Sequence, residues 1–167
     1  DIFVFPQWHW NKDWNYDIAI ITLKESQTQF GYFSFGHNIN IQSYDLFDVN
    51  GYPSDKQWTM QRMDTYFDLA IYENTLLTET GDVYKGNSGG PAWLASDHTI
   101  YAVVSHEISI SYVDQPEMTP IPLANGFCRI TKPKYDAMCR YIQGFVDTAT
   151  WCQPHHRHHQ QHGSVPP

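Results

Sequence analysis

Gly86-Asn87-Ser88-Gly89-Gly90-Pro91 is the stretch on which the reading of this chain turns. It sets one hydroxyl among small residues, with a glycine two positions before Ser88 and two more directly after it. Glycine tolerates left-handed backbone, so the N–H groups around Ser88 are free to turn toward a common point. Convergent donors of that kind are what the oxyanion of an attacked carbonyl requires. A serine hydroxyl alone is a weak nucleophile, and activating it takes a base and a carboxylate that orients the base.

A carboxylate stands at the head of the most apolar run, Asp17-Ile18-Ala19-Ile20-Ile21-Thr22-Leu23. Near-continuous apolar text enriched in β-branched residues predicts a strand buried on both faces. A carboxylate at its mouth is costly unless it is hydrogen-bonded. Asp17 is therefore either a functional group held by a partner or the cap of a turn.

The rest of the chain reads as short strands separated by turns. Residues 1–5 predict a strand ended by Pro6, and the Trp-rich stretch 7–16 an aromatic loop. Polar, Gly-punctuated text from Lys24 to Tyr44 holds one short strand near Tyr32 to Phe35. Further strands are expected at 46–50, within 57–73 and 74–80, at 92–95 and at 100–106, with a turn at Ser96-Asp97. This spacing indicates an all-β barrel or sandwich. One helix is expected late, capped by Thr131 with Pro133 in its first turn, its apolar face formed by Tyr135, Met138, Cys139, Ile142, Phe145 and Val146. Beyond it, 147–167 is a His-rich low-complexity tail expected to be disordered.

Composition narrows the function classes. With 167 residues, 41% hydrophobic and 17% charged, the chain is long and apolar enough for one folded domain. A net charge of −8 offers no footprint for a nucleic-acid backbone. The longest apolar run, Ile18 to Leu23, is strand-sized and too short to cross a bilayer. Starting at Asp1 in strand-like text, the chain reads as a fragment or a processed form. Cys128, Cys139 and Cys152 show no C-x-x-C spacing, so neither a zinc nor a redox motif is indicated, and they do not decide the compartment. Gly81 and Gly86 have the spacing of a phosphate loop, but Asn87 stands where its lysine is needed. The hydrolase elbow G-x-S-x-G demands a helix after the serine, whereas Pro91-Ala92-Trp93-Leu94 is strand-like. No cofactor and no metal site is implied.

Taken together, the Ser88 motif and the Asp17 strand resemble the nucleophile and aspartate segments of chymotrypsin-like serine proteases, in the same order. Gly51-Tyr52-Pro53 is similar to the bacterial, glutamyl-endopeptidase-like branch, and Asn125-Gly126-Phe127-Cys128-Arg129-Ile130 before a terminal helix resembles the close of that fold. The resemblance implies an all-β double barrel: the end of a first barrel over 1–33, a linker over 34–44, a complete second barrel with the helix over 45–146, and the tail. It implies a serine endopeptidase with Ser88 as nucleophile, Asp17 as triad carboxylate, and the N–H groups of Gly86 and Ser88 as oxyanion hole.

The triad histidine of that family falls upstream of Asp1; His9, eight residues before Asp17, does not match its place. Asn87 replaces the trypsin branch's aspartate, and the cysteines flanking the trypsin loop are missing; both departures point to the bacterial branch. For substrate binding, Asp82 matches the carboxylate that receives Lys or Arg, whereas His106 resembles the histidine that meets an acidic side chain. The implied partner is a protein or peptide substrate, with no nucleic acid or membrane, in a secreted or extracellular setting. The rival implication is an inactive protease homologue acting as a binding module.

Overall fold

In the computed structural model, residues 1–25, 27–37, 40–79, 81–111 and 119–144 are described. Ile2–Val4 (β1) and Ala19–Ile21 (β2) pair antiparallel with Phe3 opposite Ile20, forming a two-stranded sheet. Between them, the segment expected as an aromatic loop contains a short helix, Pro6–Asn11 (α1), and a 3-10 turn, Trp14–Tyr16. Pro6 starts α1 because its fixed φ suits a first turn and its missing N–H leaves nothing unpaired there. Lys12, left-handed at φ 53°, ends it. The Asp13 carboxylate accepts the Asn15 N–H and sets the 3-10 turn.

The strand expected over 17–23 is shorter and less enclosed than its sequence implies. Ile18 is buried, but Ile21 and Leu23 are 66% and 63% exposed. The reason is pairing: among the described residues β2 has only β1 beside it, so its outer side faces solvent.

The larger sheet is built from Ser34–Phe35 (β3), Phe47–Gly51 (β4), Gln61–Thr65 (β5), Ala70–Ile71 (β6), Thr75–Thr78 (β7), Pro91–Leu94 (β8), Thr99–Ile110 (β9) and Ile121–Arg129 (β10). Its order is β5-β4-β8-β9-β10-β7-β6, antiparallel throughout, with β3 added parallel to β9. The sheet curls on itself, since the buried Thr65 and Thr78 hydroxyls, from β5 at one end of this order and β7 near the other, meet at 3.2 Å. Inside lie Phe47, Phe67 and Phe127, with ring centroids 4.8 and 5.1 Å apart in sequence, and Val49, Leu76, Ala92 and Val104 around them. β9 runs beyond His106 to Ile110, longer than its sequence indicates, because β10 continues to pair with it.

A second cluster, Phe5, Ile18, Cys128, Ile130 and Met138, fastens the small sheet to β10 and to the helix Lys132–Gln143 (α2). α2 has Thr131 at its N-cap position, and Met138 and Cys139 are buried; Phe145, Val146, Cys152 and the tail lie outside the described residues. Lys134 is buried among these groups. Its Nζ donates to the Arg129 carbonyl at 2.7 Å and stands 5.1 Å from the Tyr16 ring centroid. Burial holds that amine below its usual range and pushes the free Cys128 thiol up to about 11.

Truncating a fully enclosed ring leaves a cavity as well as lost transfer energy. Phe127→Ala is expected to cost about 3–5 kcal/mol, whereas Tyr44→Ala, at a 74% exposed position, should stay within about 0.5 kcal/mol. Urea unfolding of the two variants measures both.

Candidate active site

Residues 86–90 are anchored at both ends. At the first, the Lys85 carbonyl accepts the Ser54 N–H at 2.8 Å. Gly86 adopts φ +103°, and a Cβ there would strike the Tyr52 carbonyl and come within 2.6 Å of the Trp58 indole. At the other end, the Gly89 N–H donates to the Val104 carbonyl at 2.8 Å and the Val104 N–H to the Gly90 carbonyl at 2.9 Å. Between the anchors, the Asn87 N–H bonds the Tyr84 carbonyl (3.0 Å) and the Gly90 N–H bonds the Asn87 carbonyl (2.8 Å). These turns bury Asn87 and leave Ser88 exposed. Asn87 Oδ1 presses on Gly51 and has no hydrogen-bond partner among the described residues.

Asp17 both ends a turn and is held by a partner. Its N–H donates to the Trp14 carbonyl at 3.3 Å, ending the 3-10 turn, and its Oδ2 accepts the Ser105 hydroxyl at 2.8 Å. Ser105 directly follows Val104, the residue that holds the Ser88 loop. One strand therefore fastens the aspartate and the serine loop at adjacent positions, although they are far apart in sequence.

His106 comes next on β9, inside the strand rather than at its end. Its Nδ1 lies 3.1 Å from Ser105 Oγ. The Ser105 hydroxyl has one proton; giving it to Asp17 leaves Oγ to accept from Nδ1–H, so Nε2 carries the lone pair. The ring lies over Gly126, its cross-strand partner, where a Cβ would come within 2.7 Å of Cε1. Trp14 packs on it at a centroid distance of 5.0 Å. Burial holds the imidazole below its ordinary range, opposed by the charge of Asp17.

Asp82 is placed elsewhere. It lines a small cavity of about 110 Å³ together with Asn87, Gly51, Tyr84, Lys56 and Arg62, and His106 is not part of that wall. Lys56 is held above its usual range by its 2.9 Å ion pair with Asp55, and Asp82 adds to the effect. His9 sits on α1 with its ring edge-on to Trp10. Among the described residues, no three His, Cys, Asp or Glu side chains converge in a way that would hold a metal ion.

Sequence reasoning missed Ser105, Gly126 and Trp58. A serine within a strand, a glycine opposite a histidine and a tryptophan beyond a turn carry no local signal of what they touch. Trp14, three residues before Asp17, belonged to an aromatic segment with no assigned role.

Neither a protein-family model nor a curated protein sequence matches this chain. Solved structures do resemble it. A Glu endopeptidase, in a structure solved with MPD, superposes with a TM-score of 0.68 at 19% identity, covering 86% of this chain and 62% of its own. The scabies mite inactivated protease paralogue S-I1 superposes with a TM-score of 0.56 at 13% identity, covering 87% of this chain and 68% of its own. The chain thus spans less than two thirds of the length of the Glu endopeptidase.

The His106 environment gives a testable titration. By NMR, its midpoint should fall below the ordinary value of about 6.5, and Asp17→Asn should lower it further by removing the charge that favours imidazolium. Because the folded value is the lower one, the unfolded chain takes up the proton first. The stability contributed by this group is complete above about pH 6.5 and is lost as pH falls through the folded value.

At these levels of identity the likeness speaks for architecture, and the architecture is the chymotrypsin-like protease fold.

Proposed function

We propose that this chain is the nucleophile-bearing part of a serine endopeptidase. The carrying observation is the attachment of the Ser88 loop and Asp17 to consecutive residues, Val104 and Ser105. In this reading the base is a histidine supplied by polypeptide upstream of Asp1. Asp17 Oδ2 is taken by Ser105, which leaves Oδ1 to receive an imidazole N–H and fix the tautomer. The base takes the proton of Ser88 Oγ as it attacks the scissile carbonyl, and the N–H groups of Gly86 and Ser88 receive the oxyanion. Collapse breaks the C–N bond, the leaving amine takes the proton, and water then repeats the sequence on the Ser88 ester.

For the acyl-side residue, the geometry supports His106 over Asp82. His106 lies on the strand that holds the loop, whereas Asp82 faces Lys56 and the cavity lined by Asn87. A neutral His106 presents a lone pair at Nε2, so receiving a substrate carboxylate requires its protonation. The similarity to a Glu endopeptidase agrees with an acidic side chain there. Secretion fits as well, because Cys139 is disulfide-bonded, a state that persists in oxidising compartments.

A second reading, a catalytically silent module that binds a partner, is favoured by the likeness to an inactivated paralogue. A fluorophosphonate probe on the full-length protein decides between them. The enzyme reading expects labelling at Ser88, no labelling in Ser88→Ala, and a loss of kcat on the order of 10⁴ in Asp17→Asn. A folded protein that neither labels nor cleaves any peptide selects the silent module. If His106 receives the acidic side chain, the preference for Glu over Gln substrates should rise as pH falls through its titration, and should be flat with pH in His106→Gln.

A further inference from the structure

The Ser88 loop is held between two walls. The wall at Gly89 and Gly90 is β9, which carries Ser105 and His106. The wall at Gly86 is the turn 52–59, and its conformation is unusual. Gln57 and Trp58 are both left-handed, at φ 54° and 59°. Two consecutive non-glycine residues in that region are sterically disfavoured and persist only where surroundings fix them. Here the Trp58 N–H is tied to the Pro53 carbonyl (3.2 Å), and Thr59 bonds the Lys56 carbonyl through its N–H (3.1 Å) and hydroxyl (2.7 Å). The turn is in turn fastened to the serine loop by the bond from Ser54 N–H to the Lys85 carbonyl. This arrangement sets the Trp58 indole against the Gly86 face yet leaves it 63% exposed. The indole thus packs on Gly86, two residues before Ser88, with most of its surface open to solvent.

We infer that Trp58 determines specificity on the leaving-group side of the scissile bond, where its indole receives a flat or large apolar side chain of the substrate. This rests on the endopeptidase reading. Since β9 and His106 take the acyl side of the loop, the Gly86 wall is left to the departing half of the peptide.

Acyl transfer in the full-length protein isolates this side. When the Ser88 acyl-enzyme is offered amines, the amine nitrogen bonds to the acyl carbon, the ester bond to Ser88 Oγ breaks, and the ammonium proton returns to Oγ through the base. The ratio of transfer to phenylalaninamide over glycinamide, measured in competition, is independent of how much enzyme is folded. The wild type should prefer phenylalaninamide, W58A should lower that preference about tenfold, and W58F should keep most of it. An unchanged ratio in W58A, in protein whose Ser88 still labels, overturns the subsite while leaving the endopeptidase reading intact. A wild type that does not label at Ser88 overturns the endopeptidase reading and the subsite with it.

Discussion

The hydrogen bond from the Ser105 hydroxyl to Asp17 is the constraint on which the arrangement of the site depends. It joins a residue at the mouth of the small sheet to the middle of the long strand β9, and the neighbouring residue of that strand grips the serine loop through two backbone bonds. A carboxylate near a protein interior is costly unless something donates to it. Ser105 supplies the donor, and its remaining lone pair orders the His106 ring in turn. Three chemically distinct groups are thereby spaced by the rise of a single β-strand.

That bond is held in register by packing on both sides of it. Ile18, directly after Asp17, is buried with Phe5, Cys128, Ile130 and Met138, so the small sheet cannot shift without opening a core. On the other side the curled sheet closes around Phe47, Phe67 and Phe127. Behind Asp17, Lys134 is driven into the same cluster but keeps its amine bonded to the Arg129 carbonyl, which is how a buried amine is tolerated. The serine loop is shaped less by side chains than by what its backbone must approach. Gly86 faces the Trp58 indole at a distance that no Cβ would allow.

Where the sequence pattern was strong, it placed elements well: alternating and β-branched runs became β4, β7, β8 and β9, and the amphipathic segment after Thr131 became α2, although the Thr131 side chain makes no capping hydrogen bond. Two expectations were displaced for physical reasons. The aromatic segment 7–16 folds partly into α1, because Pro6 supplies a helix start that composition alone does not reveal. The apolar run after Asp17 contributes only three strand residues, and its outer residues stay exposed, because burial on a second face depends on a neighbour and not on the strand's own hydrophobicity.

The sequence by itself determined what is local: a hydroxyl among glycines, a carboxylate at the head of an apolar run, strand spacing that excludes an alternating α/β chain, and a net charge that argues against nucleic acid. Dihedral preference and hydrophobic period act over a few residues, and a sequence displays both directly. Only the tertiary structure decided that Asp17 meets Ser105, that His106 rests on Gly126 beneath Trp14, that Asp82 faces a different cavity, and that Trp58 covers Gly86. The contact of Asp17 with Ser105 alone joins residues 88 positions apart. These contacts arise from strand order and register, which no single segment encodes.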